Sequence, residues 1–228
     1  MEDSESVKDV RLHSLIYLSG LVNKKNFSRY QKKPYGFLMD DSLKKSLREI
    51  LDSIPDRGNI VCLRNPFQFR FLKPWTERKK KARWRNSYKP HGLWYSTGDS
   101  WINWCVSEEY SGVGRYIYRL HMDKRRVLRI RTLRDIDRFN KKFQFNLTED
   151  QRLRKDSYRF FENINWPKVY EHYNGIEISP YQYRRRFDYM WYYGWDCASG
   201  CVWRPHVVKG ARLLASYSPK RKEYIWKG

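Results

Sequence analysis

Between Lys89 and Cys105 the chain reads KPHGLWYSTGDSWINWC, and the rhythm of its apolar residues changes partway through. The stretch GLWYS is a short apolar run that reads as a strand. The small polar residues TGDS then turn the chain. After the turn, Trp101, Trp104 and Cys105 recur at helical spacing. A chain that passes from strand to turn to helix within so few residues belongs to a mixed architecture.

The rest of the sequence extends that pattern. LHSLIYLSGLV (12–22) is the longest apolar stretch and predicts an opening helix, too short and too interrupted to span a membrane. Asp41 is expected to cap SLKKSLREILDSI, whose Leu43, Leu47, Ile50, Leu51 and Ile54 share one face. Pro55 and Gly58 end it. NIVCLR (59–64), FQFRFL (67–72), RYIYRLHM (115–122), VLRIRT (127–132), NGIEIS and SGCVW read as strands. RDIDRFNKKF, EDQRLRKDSYRFFENI and INWPKVYEHY read as helices. Helices first, then strands with short helical inserts, predict an α+β domain. The expected division is an N-terminal helical segment over 1–58 and a main domain over 59–228, with a basic loop at 76–90.

Charge narrows the partners. There are 47 Lys and Arg against 25 Asp and Glu, a net charge of +22. A chain this basic attracts polyanions, and nucleic acid is the expected partner, with no membrane. Six of the eight residues from Arg78 to Arg85 are basic: Arg78, Lys79, Lys80, Lys81, Arg83 and Arg85, with Trp84 among them. Cations interleaved with aromatics suit single-stranded nucleic acid; the plain alternative is a solvated loop whose Trp84 docks on the body. Arg184, Arg185 and Arg186 precede FDYMWYYGW, which has six aromatics in nine residues. That segment reads first as core filling and second as a stacking platform fed by the arginines. The four cysteines, Cys62, Cys105, Cys197 and Cys201, form no CxxC pair and read as buried free thiols. No HxxxH, HxH or HExxH pattern occurs, so no metal is expected; GxGxxG and GxxxxGK[ST] are missing too. Acidic residues, not basic ones, precede the first apolar stretch, so the chain reads as intracellular.

The residues Gly92, Leu93, Trp94, Tyr95, Ser96, Ser100, Trp104 and Cys105 resemble a motif of the ADP-ribosyltransferase superfamily, in its poly-ADP-ribose polymerase and phage-type branches. YNGIEI (173–178) and SGCVWRPHVV (199–208) follow in the order of two later strands of that superfamily, so the resemblance covers roughly 59–214. WYYGWDCASGCVW and KPHGLWYS are also similar to segments of proteins from large viruses and phages, which implies the host cytoplasm or a virion. The resemblance implies split antiparallel sheets and NAD as co-substrate without a metal. It implies ADP-ribosyl transfer, or NAD-dependent phosphate transfer from RNA, on or beside nucleic acid.

For the site it implies a flat nicotinamide against Tyr95 or Trp94, only one of which can face the cleft; Tyr95 is the first choice. Gly92 belongs to that strand. Arg64, with Arg70 as rival, would hold ribose or phosphate, and Ser96 would orient it. The superfamily's catalytic glutamate falls on Ser199, which leaves Asp196 or Glu177 to stabilise an oxocarbenium-like cation. Each has a plain alternative: Tyr95 and Trp94 as core residues, Asp196 as a turn residue, Glu177 as an exposed strand residue. The rival function is a non-catalytic basic nucleic-acid-binding protein on the same fold.

Overall fold

The computed structural model describes residues 39–53, 58–67, 89–110, 112–144 and 164–227. All lie in one compact unit, Met39–Gly228. Eight strands form its sheet: β1 (Asn59–Leu63), β2 (Leu93–Thr97), β3 (Tyr116–Met122), β4 (Val127–Ile130), β5 (Gly175–Ile178), β6 (Ser199–Val202), β7 (Val208–Ser218) and β8 (Glu223–Trp226). Their spatial order is β4-β5-β6-β2-β1-β3-β7-β8. Every neighbouring pair is antiparallel except β4 and β5. The architecture is therefore α+β, with a large, mostly antiparallel open sheet. Where a split sheet was expected, one hydrogen-bonded ladder runs from β4 to β8.

Helix α1 (Asp41–Ser53) buries Leu43, Leu47 and Ile50 at the predicted spacing. Its cap is Asp40, one residue before the expected Asp41: the Asp40 carboxylate accepts from the Leu43 N–H at 2.8 Å. Ser46 of α1 accepts the Tyr224 N–H of β8 at 3.2 Å. The helix thus belongs with the sheet, and the boundary expected at 58 falls inside one unit. Helix α2 (Ser100–Ser107) follows β2 after the TGDS turn, as predicted, with Gly98 at φ 63° in that turn. Ile102, Cys105 and Val106 are its buried residues; Trp101 and Trp104, expected to face inward, are half-buried and stack on each other at 5.1 Å.

Parallel strands need a crossover, and the chain between β4 and β5 supplies α3 (Leu133–Phe143) and α4 (Trp166–His172). Thr132 and Asp135 close a reciprocal cap at the start of α3. Ile136, Phe139 and Phe143 turn inward from it at spacings of three and four residues. They pack with Trp166, Val169 and Tyr170 of α4, with Ile176 and Ile178 of β5, and with Trp191, Tyr192, Trp195 and Trp203. Tryptophans therefore fill the layer between one sheet face and its helices. The opposite face carries Val61, Tyr95, Leu120, Val127, Val202, Val207 and Val208.

The segment expected as one aromatic element divides. Residues Tyr183–Arg185 form a 3-10 turn and Met190–Tyr193 a short helix, α5. Trp191, Tyr192 and Trp195 enter the core, whereas Tyr183, Phe187 and Met190 stay outside. The predicted helices over 12–22 and, except for Ile164, over 149–164, the end of the α1 run at Ile54 and Pro55, and most of the predicted strand at 67–72, including Arg70, lie outside the described residues.

Candidate functional site

Strand alternation sends Ile176 and Ile178 to the helix-covered face and Glu177 to the other. Register puts Glu177 and Tyr95 on either side of Gly200 in β6. With no Cβ at Gly200, the Tyr95 ring lies across β6, and its hydroxyl donates to Glu177 Oε2 at 2.9 Å. Lys124, from the turn between β3 and β4, pairs with the same Glu177 oxygen and donates to Asn59 Oδ1 at 2.6 Å. Its ammonium also stands 5.3 Å from the Tyr95 ring centroid.

Tyr95 is thus not the wall of an open groove: it is 3% exposed and tied to a carboxylate. Burial, then the adjacent Glu177 charge, pushes its phenol far above the ordinary value. Glu177 does not stand alone before a cleft either, since two donors converge on one of its oxygens. The cluster joins four separate parts of the chain. Lys124 and Asn59 escaped the sequence reading because only the spatial strand order brings the start of β1 and the β3–β4 turn to Glu177.

Asp196, the other expected carboxylate, lies in a second cluster. It faces Arg186 at 3.6 Å, and Lys89 is close enough to oppose its shift. Burial raises the Asp196 carboxyl pKa and lowers that of Lys89, so in both groups desolvation outweighs mutual attraction. Lys89 stands 5.3 Å from the Trp94 ring centroid, Trp94 meets Trp195 edge-on at 4.8 Å, and Arg186 lies over Tyr193 at 5.4 Å. Buried Tyr181 Oη, Arg186 Nε and Trp195 Nε1 have no hydrogen-bond partner. The two expected carboxylates therefore occupy different clusters.

The remaining predicted residues serve packing. Ser96 is buried and donates to the carbonyls of Ile60 and Gly98. Ser199 pairs with it across the β2–β6 ladder, and its buried hydroxyl donates to the Cys197 carbonyl. A Cβ at Gly92 would come within 2.2 Å of the Val202 carbonyl oxygen, which gives that glycine a backbone reason. Arg64 is exposed beyond β1 and touches neither cluster. All four cysteines are free; Cys62 is half-buried and the other three are buried.

The basic run Arg78, Lys79, Lys80, Lys81, Arg83, Trp84 and Arg85 lies outside the described residues. Of the arginine triplet, Arg185 is held by Asp137 at 2.7 and 2.8 Å and by Asp188 at 2.9 Å, and Arg186 is engaged by Asp196. Only Arg184 is exposed and uncommitted among the three. A larger basic surface went unread. Residues 124–142 hold nine basic residues against two acids. Lys124 points inward, Arg125 pairs with Asp123, and Arg138 pairs with Asp135. Among the described residues, Arg129, Arg131, Arg134 and Lys141 are exposed and have no carboxylate partner. The signal was present: in α3, Arg134, Arg138 and Lys141 recur at four and three residues, opposite Ile136, Phe139 and Phe143.

Comparison of the chain with models of known families, with curated proteins and with solved structures finds no match. Among the described residues, no helix is long and apolar enough to cross a membrane, and no group of three or more His, Cys, Asp or Glu is placed to hold a metal ion.

Proposed function

We propose that this protein is a non-catalytic binder of nucleic acid that grips phosphates with exposed cations at the β4 border of the sheet and on α3. The carrying observation is that Arg129 and Arg131 at the end of β4, and Arg134 and Lys141 on α3, are exposed with side chains that form no ion pair among the described residues. Surface arginines that neighbouring acids do not compensate retain their full attraction for a polyanion. Tyr95, sealed and hydrogen-bonded, favours binding over catalysis. With about five phosphates engaged on a single strand, log affinity falls against log salt with a slope of about −3 to −4. Fluorescence anisotropy is expected to show affinity dropping about a hundredfold between 50 and 200 mM salt. The double substitution Arg131→Ala/Arg134→Ala should flatten the slope by about 1.4. A slope near zero that these substitutions leave unchanged sinks the reading.

A second reading, NAD-dependent ADP-ribosyl transfer on a divergent ADP-ribosyltransferase-like fold, has one observation in its favour. The strands bearing GLWYS, YNGIEI and SGCVW adjoin one another as β2, β5 and β6. On that reading the ring-binding residue is Trp94, beside Lys89 and the Asp196 cluster, and Tyr95 supports the sheet. NAD at about a hundred times its dissociation constant would raise the melting temperature by about 5 °C or more, and Asp196→Asn would abolish the shift. No shift at millimolar NAD removes this reading and leaves the first intact.

A further inference from the structure

Four large hydrophobic residues stand exposed among the described residues, and three of them, Tyr183, Phe187 and Met190, fall within one eight-residue segment. Their exposures are 60%, 47% and 49%. The neighbouring Trp191, Tyr192 and Trp195 are sealed in the core, so the outer residues are surplus to packing. The rings of Tyr183 and Phe187 meet edge to face, with centroids 6.1 Å apart and planes at 89°. Phe187 in turn meets Tyr193 at 6.1 Å, under the Arg186 guanidinium. The arrangement leaves ring surface open to solvent and holds each ring against a neighbour.

The segment is fastened to the cationic helix. Arg185 grips Asp137 of α3 with two hydrogen bonds, Tyr189 donates to the same carboxylate at 2.8 Å, and Trp191 Nε1 donates to Asn140 at 2.9 Å. Asp137 shares its side of α3 with Arg134, three residues earlier, and Lys141, four residues later. The segment that bears the exposed rings is thus anchored to the helix that bears Arg134 and Lys141, with Arg184 exposed between Tyr183 and Phe187 in sequence.

Resting on the nucleic-acid reading, we propose that Tyr183 and Phe187 form a base-stacking platform that makes this protein prefer single strands to duplex. Duplex bases are already stacked on one another and present only their edges. Unpaired bases offer their flat faces, which stack on aromatic rings with little regard to sequence. The cations on α3 and Arg184 then hold the phosphates beside the stacked bases. Met190 widens the apolar floor with a polarizable side chain.

The test measures anisotropy with three labelled probes of about 20 nucleotides: a single strand, the matching duplex, and an abasic strand with the same phosphates. The intact protein is expected to bind the single strand about tenfold or more tighter than the abasic strand. Tyr183→Ala and Phe187→Ala should each weaken single-strand binding about tenfold. Abasic and duplex binding and the salt slope should not change. Because both residues are exposed, the variants should melt with the parent. Phe187→Trp adds a direct readout: its fluorescence should be quenched by the single strand and not by the abasic one. Equal affinity for single and abasic strands, or alanine variants that bind all probes as the parent does, overturns the platform and leaves phosphate binding standing. That outcome would instead mark the exposed rings as a protein-docking surface. If none of the probes binds at about 50 mM salt, the nucleic-acid reading fails and the platform with it.

Discussion

Gly200→Ala is expected to lower the melting temperature by roughly 10 °C, although alanine is normally the better strand residue. An added Cβ would lie 2.5 Å from Tyr95 Cζ and Oη and 2.8 Å from the Ile176 carbonyl oxygen. Tyr95 cannot swing aside freely, being 3% exposed and bonded to Glu177. Overpacking costs about 1–3 kcal/mol, and losing a hydrogen bond to a charged group adds about 1.5–3 kcal/mol. Against this, the backbone entropy gained by replacing glycine is only about 0.5–1 kcal/mol. A net loss of about 3–4 kcal/mol corresponds to that temperature shift in a domain of this size. Calorimetry of the single variant checks the sign. A double-mutant cycle with Tyr95→Leu checks the cause, because the cost should shrink once the ring is gone, though the Ile176 contact remains. A variant that melts within about 2 °C of the parent would mean that the tyrosine can leave its seat above β6.

Alkaline pH is expected to remove much of the stability above about pH 8.5. Cys105, Cys197 and Cys201 are buried free thiols whose pKa values burial pushes up, that of Cys197 to about 11. An unfolded-chain thiol ionises near pH 8.5. Between that pH and the folded value, the unfolded chain holds fewer protons than the folded one, so stability falls as pH rises. It is fully present below about pH 8.5, and the Cys197 share is lost by about pH 11. At about pH 10 the Cys197 thiol alone accounts for ~2 kcal/mol, and Cys105 and Cys201 act in the same direction. Urea midpoints measured under reducing conditions from about pH 7 to pH 10 should fall steeply above pH 8. Cys197→Ala should make that fall shallower. A level profile to pH 10 would show that water reaches these thiols in the folded protein.

What the sequence made legible was periodic and local. Leu43, Leu47 and Ile50 announce the buried face of α1, and GIEIS alone places Glu177 opposite two isoleucines. The turn at TGDS and the crossover helices followed from residue type and spacing. What stayed hidden depends on which strands become neighbours. Tyr95 meets Glu177 only because β6 runs between their strands with a glycine at the crossing point. A glycine inside the short run SGCV was the available hint, since it permits close approach from either side. The Asp196 cluster depends on Lys89, more than a hundred residues earlier in the chain, which local reading cannot supply. The resemblance rests on one compact stretch, whereas exposed cations among the described residues gather in 124–142.

An open sheet has two raw borders. At β8, Ser46 occupies the Tyr224 N–H; at β4, exposed arginines stand guard. On the reading proposed above, the cations that hold a polyanion would also keep molecules of this protein from joining border to border. Cancelling them with an equal quantity of phosphate unmasks that seam. Mixtures near charge balance should therefore turn cloudy, and either component in excess should clear them.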